Sequence, residues 1–426
     1  MIWLYRLIYP FFIACLWLVS LFSKKIRQGL VKRIGLAQRL ALTAGSWRSE
    51  ERKLWFHFSS AGEFEQVLPV IDTLQQTDAK CRIVLTYFSP SAERAIHSEA
   101  KRRTLAQLSC PWDFADYSPF DFHWSVSKFL NVLNPSCFVA VHRELWPEVL
   151  FQCGLRKIPC FLIGAFFPSS FKSRSGLTDF CLKHLDKIAA VDENTRTTLL
   201  GVNPALSVEV LGDPRIERVL FRKHHFSKSS DWKTNFKNQQ VFIGASLWDE
   251  DFEVLLRALP GIRTKAPHAR IVIVPHEPIK TRVNAWQEAL KNEGCPVRTW
   301  DEWNRSPDSS SHLIVDTVGI LAELYSISTC VFVGGSFKKR VHNVLEPLVY
   351  SCGIVTGPFI HNSSEASELA ERHILRVVHT PAELSQVIGE LLTSTQKQAE
   401  LAEKAKIFLS QKEGVSKSVI SMILDQ

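Results

Sequence analysis

Short apolar runs alternate with amphipathic stretches along most of this chain, from about residue 54 onward. Each run is rich in β-branched or aromatic residues, ends in a polar or glycine-containing loop, and precedes apolar positions at helical spacing. The runs in the first half are 54–58, 82–88, 137–141, 160–166 and 187–192, and those in the second half are 241–246, 270–278, 312–319 and 330–336. This order predicts repeated βαβ units and parallel sheets, so the chain belongs to the α/β class.

The first residues break this pattern, because 7–22 is one apolar run. As a helix it is about 24 Å long, somewhat shorter than the roughly 30 Å hydrocarbon core of a bilayer. We expect a membrane anchor, and both a single pass and an interfacial helix stay open, with a buried core helix as the alternative. By the positive-inside rule, the basic residues that follow place the rest of the chain in the cytoplasm: Lys24, Lys25, Arg27, Lys32, Arg33 and Arg39.

Composition adds limits to this picture. A chain of 426 residues, 46% hydrophobic and 22% charged, is long enough for two globular domains. The net charge of +8 favours anionic partners, without choosing among nucleic acid, lipid and phosphorylated substrates. The ten cysteines have no CxxC or paired Cys/His spacing, which indicates reduced core residues and no structural zinc.

The pattern predicts five segments. They are an anchor with its basic collar at 1–40, a first Rossmann-like domain at 41–213, a linker at 214–240, a second Rossmann-like domain at 241–390, and C-terminal helices at 391–426 that pack back toward the first domain. The linker is basic but lacks interleaved aromatic residues, so we interpret it as a solvated connection and not as a nucleic-acid surface.

The segment 331–358 carries the clearest chemical signal. It predicts a buried strand, a glycine turn at Gly334 and Gly335, a basic loop, and a helix that opens at Asn343. Such a turn directs free backbone N–H groups and the positive end of a helix dipole at one point, which predicts an anion site. The alternative is a tight strand-to-helix turn with Asn343 as its N-cap.

A second strand-to-helix loop holds a carboxylate. Ser60-Ala61-Gly62-Glu63 follows the strand at 54–58, and Glu63 lies in the first helical turn. A helix N-terminus favours the ionised carboxylate, which is then ready to accept a proton. Glu63 is therefore either a general base or a stabilising end charge, and Gly62, which lets a substrate approach, favours the base.

Seven segments together resemble the 3-deoxy-D-manno-octulosonic acid (Kdo) transferases of lipopolysaccharide biosynthesis in order and approximate spacing. The resemblance covers nearly the whole chain, including the anchor. It is most specific in the last segment and in the Ser-x-Gly-Glu turn. The segments are HFSSAGEFEQVLPVIDTL, HRELWPE, LGDPRIERV, GASLWDED, IVPHEP, DTVGILAELY and GGSFKKRVHNVLEP.

The resemblance implies a GT-B fold, with two Rossmann-like domains facing a cleft, and an inverting transfer of Kdo from CMP-Kdo to a lipid A precursor at the cytoplasmic face of the inner membrane. It implies that Glu63 is the catalytic base and that the acceptor contacts Ser60, Gly62, Arg143 and Glu144. The residues that it implies for the donor are Arg215, Ser246, His276, Gly335, Ser336, Asn343 and Glu346. For Arg215, a solvent-facing linker charge is the alternative.

Three positions depart from the family pattern. Leu247 and Trp248 follow Ser246 where the family often has Thr-His, His276 and Glu277 replace Arg-His, and Arg340 and Val341 replace Gly-Gly. A different donor sugar is therefore one alternative, and a GT-B-like epimerase or a non-catalytic anchored scaffold are others. No DxD-like pair stands out, and a CMP-sugar leaves with a single phosphate, so we expect no metal or other cofactor and no nucleic-acid partner.

Overall fold

The computed structural model describes residues 1–77, 80–171, 176–226 and 231–425. These residues form two compact units. The first comprises Met1–Phe221 together with the segment from Lys412 onward, and the second comprises Arg222–Gln411. Part of the predicted linker, 227–230, lies outside the described residues.

Parallel strands form the centre of the first unit. Within its described residues the strands are β1 (Lys53–Phe58), β2 (Arg82–Tyr87), β3 (Phe114–Tyr117), β4 (Cys137–Val141), β5 (Cys160–Ala165), β6 (Lys187–Ala190) and β7 (Val208–Val210). Their order is β3-β2-β1-β4-β5-β6-β7. The chain reverses its direction of winding between β1 and β4, and ligands bind at the carboxyl ends of the strands at such a point.

Helices cover both faces of this sheet, because alternate residues of a strand point to opposite sides. Leu54, Phe56 and Phe58 belong to one hydrophobic cluster, whereas Trp55 belongs to the other. The helices of this unit after its N-terminal segment are α4 (Ala61–Thr77), α5 (Pro90–Leu105), α6 (His123–Leu133), α7 (Pro147–Leu155), α8 (Gly176–Leu182), α9 (Glu193–Val202) and α10 (Arg215–Phe226), whose last residues belong to the second unit.

The N-terminal segment forms three helices: α1 (Ile2–Ser20), α2 (Lys24–Val31) and α3 (Leu36–Ala44). Among the described residues, α1 alone is long and apolar enough to cross a membrane. It starts earlier than the apolar run at 7–22, because Tyr5 and Arg6 are also helical. Its role as an anchor stays a prediction.

The second unit repeats the parallel architecture. Its described strands are β8 (Val241–Leu247), β9 (Arg270–Pro275), β10 (Val297–Thr299), β11 (His312–Ile314), β12 (Cys330–Val333), β13 (Gly353–Thr356) and β14 (Leu375–Val377). Their order is β10-β11-β9-β8-β12-β13-β14, so the winding reverses between β8 and β12. β12 is buried at every residue, as its continuous apolar run predicts for a parallel strand.

The helices of the second unit are α11 (Asp249–Lys265), α12 (Lys280–Asn292), α13 (Trp300–Arg305), α14 (Leu321–Leu324), α15 (Leu345–Val349), α16 (Ser364–Glu371), α17 (Pro381–Thr393) and α18 (Thr395–Ser410), with 3₁₀ turns at Asp231–Phe236 and Tyr325–Ile327. The last helix, α19 (Val415–Leu424), belongs to the first unit, where Val419 joins the hydrophobic cluster that contains Phe56.

The predicted α/β class with parallel sheets is confirmed. The segment boundaries differ in detail from those predicted. Much of the predicted linker is helical in α10, and α18 stays with the second unit while α19 packs in the first.

Candidate active site

Glu63 lies in the first turn of α4, which follows β1 at the winding reversal of the first sheet. Its carboxylate accepts hydrogen bonds from the backbone amides of Ser59 and Ser60, the latter at 3.0 Å. In return, the Ser60 hydroxyl accepts a bond from the Glu63 amide at 3.4 Å. These reciprocal bonds are a capping box, which is compatible with both interpretations of Glu63.

The ionisation of Glu63 differs from the expectation. Burial, and then the nearby Glu144 carboxylate, raises the pKa of Glu63 to about 7, although the amides of Ser59 and Ser60 favour the ionised form. The amides at the helix start thus favour the ionised form, which is the direction that we expected, but burial outweighs them. A carboxylate with a pKa near the working pH is well matched to a general base.

Glu144 lies in the loop after β4, next to β1, and contrasts with Glu63. The Trp146 indole donates to its carboxylate at 2.8 Å, and the His57 Nε2 atom is 3.6 Å away. Burial on its own would raise the pKa of Glu144, but the contacts with His57, Ser59 and Trp146 outweigh it and lower the pKa. Two neighbouring carboxylates whose environments move their pKa values apart are typical of acid and base assignments in active sites.

His57 is a site residue that the sequence analysis missed. Its Nδ1 atom is 2.9 Å from the Thr86 hydroxyl, which accepts a bond from the Trp55 indole at 2.7 Å. The Thr86 hydroxyl thus contacts both the Trp55 indole and the His57 ring, and it holds that ring with Nε2 facing Glu144. A histidine within the apolar run at 54–58 was the available signal.

Gly62 and Arg143 border this carboxylate pair. A Cβ atom added to Gly62 would meet only the Ser60 hydroxyl, at 3.9 Å, so the chain itself leaves the space beside Gly62 open. Arg143 is exposed directly after β4. The acceptor contacts predicted for Ser60, Gly62, Arg143 and Glu144 stay predictions.

Arg215 lies in the first unit, at the start of α10. Its guanidinium donates to the Asp213 carboxylate at 2.6 and 2.9 Å, and the Gln66 amide donates to the same carboxylate at 3.1 Å. Burial, with further contributions from Arg143 and Arg215, lowers the pKa of His142 to about 4, which places both cations near the end of β4. Arg215 is thus paired with Asp213, although its side chain is 39% exposed, and its donor contact stays a prediction.

In the second unit, the glycine turn after β12 has an unexpected internal partner. The amides of Gly335 and Phe337 donate to the Asp251 carboxylate at 2.6 and 3.0 Å, and the Trp248 amide donates to it at 3.0 Å. Gly335 has a φ of +79°, and an added Cβ would lie 2.2 Å from the Arg340 carbonyl oxygen, so only glycine fits.

Three further amides of this loop, at residues 338–340, donate to the Gly335 carbonyl at 3.0–3.2 Å. The helix that follows begins at Leu345 and spans five residues, and the Asn343 side chain accepts from the Leu345 amide at 2.9 Å. Internal acceptors thus occupy five amides of this loop, those of residues 335 and 337–340, and the helix that follows is short and begins two residues after Asn343. The predicted anion site stays a prediction.

Ser336 and Glu346 are also engaged within the second unit. Ser336 is fully buried, and its hydroxyl donates to the Val333 carbonyl and accepts from the Gly357 amide at 2.7 Å. The Glu346 carboxylate is 3.3 Å from an Arg222 guanidinium nitrogen. The donor contact predicted for Ser336 has no support in this geometry, whereas that of Glu346 stays a prediction.

The accessible polar groups of this edge come from a cluster around His276. The Ser246 hydroxyl is 2.9 Å from the His276 Nδ1 atom. The His276 ring stacks nearly parallel on the His342 ring, with 4.4 Å between the ring centres. The Trp248 indole donates to the His342 Nε2 atom at 3.1 Å. Burial, followed by His276 and Arg340, lowers the pKa of His342 to about 4, so its ring is neutral at pH 7.

Positive charge at this edge comes from the loop at 338–340. The Lys338 ammonium lies 4.3 Å from the centre of the Trp248 ring and 3.3 Å from the Glu250 carboxylate, and Lys339 and Arg340 are exposed. Ser246 has a φ of +57°, a conformation uncommon outside glycine and often found at functional sites. Sequence analysis treated Trp248 only as a departure and did not predict its contact with His342.

No group of three or more His, Cys, Asp or Glu side chains that could hold a metal ion occurs in the described part of the chain. Metal-independent activity stays a prediction.

Comparisons with known proteins show which family this chain is similar to. The family profile described as 3-deoxy-D-manno-octulosonic-acid transferase (kdotransferase) matches residues 30–218. The 3-deoxy-D-manno-octulosonic acid transferase of Haemophilus influenzae is 26% identical over 97% of this chain and 95% of its own length. That of Aquifex aeolicus is 25% identical over 83% of this chain and 89% of its own length.

Solved structures show the fold. UDP-GlcNAc 2-epimerase from Neisseria meningitidis is 14% identical and superposes with a TM-score of 0.62 over 88% of this chain and 100% of its own. A glycosyltransferase from Rickettsia africae is 12% identical, with a TM-score of 0.56 over 88% and 98%. The predicted GT-B fold class is thereby confirmed, although its neighbours include both epimerases and transferases. By its sequence relatives and the family profile, this chain is similar to the 3-deoxy-D-manno-octulosonic acid transferases.

Proposed function

We propose that this protein is an inverting glycosyltransferase that transfers Kdo from CMP-Kdo to a lipid A precursor in lipopolysaccharide biosynthesis. Relatives from several bacteria bear the name of this activity over most of the chain. The observation that carries the proposal is the pair formed by Glu63 and Glu144, because it supplies a base with a pKa near 7 at the edge where α/β proteins bind their ligands.

In the proposed reaction, the Glu63 carboxylate accepts the proton of the acceptor hydroxyl as that oxygen forms a bond to the anomeric carbon of Kdo. The bond from this carbon to the CMP phosphate breaks, and the phosphate leaves with the electron pair. Glu144 stays ionised and raises the affinity of Glu63 for the proton. His57 and Trp146 position Glu144.

The second unit is proposed to bind the donor. Lys338, Arg340 and the Ser246 hydroxyl would bind the anionic phosphate and the sugar carboxylate of the donor, with His276 as a hydrogen-bond partner. Gly335 shapes the loop, and Asn343 and Glu346 border it. Because Asp251 already occupies the amides of the glycine turn, side-chain cations replace backbone amides as the main source of positive potential here.

The proposed acceptor is an anionic lipid that contacts Arg143 and enters the space beside Gly62. The reaction is proposed to occur at the cytoplasmic face of the inner membrane. The basic residues after α1 support this location, because the anionic lipids of the cytoplasmic leaflet attract cations next to a membrane-bound helix. Arg215, held near His142 by Asp213, is a second cation available to an anionic substrate.

A different donor sugar is the alternative that one observation favours. Trp248 and His276, which depart from the family pattern, form an aromatic stack with His342. An epimerase shares the fold, but the carboxylate pair of the first unit favours transfer, and a non-catalytic scaffold would not need the raised pKa of Glu63.

The test is incubation of detergent-solubilised protein with CMP-Kdo and a tetra-acylated lipid A precursor, followed by mass spectrometry of the lipid. We expect a gain of one or more Kdo units in the wild type that is lost in Glu63→Gln. Excess EDTA is expected to leave turnover unchanged, and recovery only on addition of Mg²⁺ would contradict metal independence. Absence of any gain with folded wild-type protein would contradict this donor or acceptor.

A further inference from the structure

One face of α1 is more buried than the rest of the helix, and its contacts with the first unit include those of Tyr5, Arg6 and Tyr9. The partly or fully buried positions recur at helical spacing, and all other positions of α1 are exposed. They are Ile2, Tyr5, Arg6, Tyr9, Ile13, Leu16 and Ser20. A spacing of three or four residues keeps these positions in a single stripe on one side of the helix.

Polar contacts fix this packing near the start of α1. The Arg6 guanidinium donates two bonds of 2.8 Å to the Glu148 carboxylate, and the Tyr5 hydroxyl donates to the Asp121 carboxylate at 2.6 Å. Both acceptors are fully buried. Moving α1 into a bilayer away from the unit would leave two buried carboxylates without these partners, which is strongly unfavourable.

The chain that follows α1 is tied to the same unit. The Arg33 guanidinium donates to the Phe88 carbonyl at 3.1 Å, and Arg39 donates to the Asp116 carboxylate at 2.6 Å. The first unit therefore holds both the start of α1 and the segment that follows it. Phe88 in turn contacts the Trp146 ring at 5.3 Å, which connects this region to the loop that carries Glu144.

The opposite face of α1 is apolar and exposed, and no residue of the described chain covers it. Its large side chains are Trp3, Leu4, Leu7, Ile8, Phe11, Phe12, Leu18 and Val19. Next to it, Trp124 is 74% exposed and contacts Phe122, whose ring lies near Tyr9. The cations Lys24 and Arg27 are exposed on the following helix.

An apolar helix face bordered by aromatic and basic residues fits the surface of an anionic bilayer, in which the apolar side enters the acyl boundary while cations meet the headgroups. A second protein copy would leave the adjoining cations without a matching charge.

We propose that α1 lies in the plane of an anionic bilayer surface, clamped to the first unit through the pairs Arg6–Glu148 and Tyr5–Asp121, and that it does not cross the membrane. The clamp joins the membrane-bound helix to the segment that carries Glu144 and Trp146. The consequence for transfer rests on the proposed function, whereas the placement of α1 does not.

The placement is tested by topology and depth in inner-membrane vesicles of defined orientation, with the full chain. An epitope tag before Met1 and an impermeant maleimide label at Lys291→Cys on the second unit are expected on the same side. A nitroxide at Phe11→Cys, in a Cys15→Ser background, is expected at about 5–10 Å below the headgroups. A tag on the opposite side, or a label at the bilayer centre, would overturn the proposal.

Two variants separate the clamp from the apolar face. Phe11→Ser with Phe12→Ser should lower partitioning onto vesicles of phosphatidylglycerol and phosphatidylethanolamine about tenfold or more. Tyr5→Phe with Arg6→Gln should leave partitioning within about twofold but lower transfer to a vesicle-embedded acceptor severalfold, and Lys291→Cys serves as the control. Unchanged partitioning in the phenylalanine variant would contradict the membrane face. A shallow Phe11 label in a wild type that transfers no Kdo would refute the proposed function alone.

Discussion

Glu63 in the first unit and Asp251 in the second both follow a central parallel strand and accept hydrogen bonds from backbone amides of strand-end loops. Asp251 is fully buried and accepts three such bonds, two of them from the glycine turn after β12. Glu63 accepts two, remains partly exposed and lies near a second carboxylate. Backbone amides that donate to a carboxylate therefore fix the conformation of a loop in the second unit. In the first unit they hold a titratable carboxylate in place.

The difference follows from what else each carboxylate meets. Asp251 accepts hydrogen bonds from three backbone amides, so its contacts fix the shape of the glycine turn after β12. Glu63 experiences the charge of Glu144, which raises the pKa toward neutrality, and the space beside Gly62 gives a substrate access. A carboxylate at a helix start is therefore best interpreted from its neighbours and exposure, and not from its position in the helix alone.

The largest expected effect is on catalysis by Glu63. Glu63→Gln should lower kcat by about 100- to 10,000-fold, since this is the range for a lost general base. The glutamine amide can still complete the capping box, so Tm should change little. Steady-state kinetics and thermal denaturation would be measured together, with Glu193→Gln in the first turn of α9 as the matched control. A kcat within threefold of the wild type would remove Glu63 from the base role.

In the second unit, replacement of Asp251 should lower the free energy of unfolding. Asp251→Ala leaves buried amides without an acceptor, at a cost of about 3 kcal/mol or more in the free energy of unfolding. Asp251→Asn retains one amide oxygen and should cost less. Urea denaturation followed by fluorescence measures both. An Asp251→Ala variant as stable as wild type, with activity lost, would mean that Asp251 acts in the chemistry and that the comparison between the two carboxylates fails.

The effect of Glu144 on Glu63 should appear in the pH dependence. Because the charge of Glu144 raises the pKa of Glu63, its removal in Glu144→Gln lowers that pKa, and the ionised base persists to lower pH. The acidic limb of the pH profile of kcat/KM, expected near pH 7 in the wild type, should move to lower pH. This shift is expected even if the maximum value of kcat/KM changes. A limb that stays in place or moves upward would contradict the coupling.

The smallest effects are expected in the basic loop of the second unit. Lys338→Ala and Arg340→Ala should each raise the KM for the donor about two- to fivefold, since exposed ion pairs contribute up to about 1 kcal/mol. The increase should shrink at high salt, where such charges are screened. Initial rates at two ionic strengths, with Lys291→Ala as control, test this. An effect on kcat alone would indicate a role other than donor binding.

The strands and the location of Glu63 were predictable because they depend on local patterns. The buried runs at 137–141 and 330–333 are recognisable from their continuous apolar residues, and the Ser60 to Glu63 spacing is a capping signal. Contacts between distant residues were not predictable. The bond from the Gly335 amide to Asp251 joins positions 84 apart, and the approach of His57 to Glu144 requires β1 and β4 to be neighbours.

The central claim is that Glu63 is a base whose pKa lies near neutrality. The most direct test is an NMR titration of protein labelled with ¹³C at the side-chain carboxyl of glutamate, with the resonance assigned by its loss in Glu63→Gln. The account predicts an inflection near pH 7 that moves to lower pH in Glu144→Gln. A titration of Glu63 near the ordinary value for glutamate, unchanged in Glu144→Gln, would contradict it.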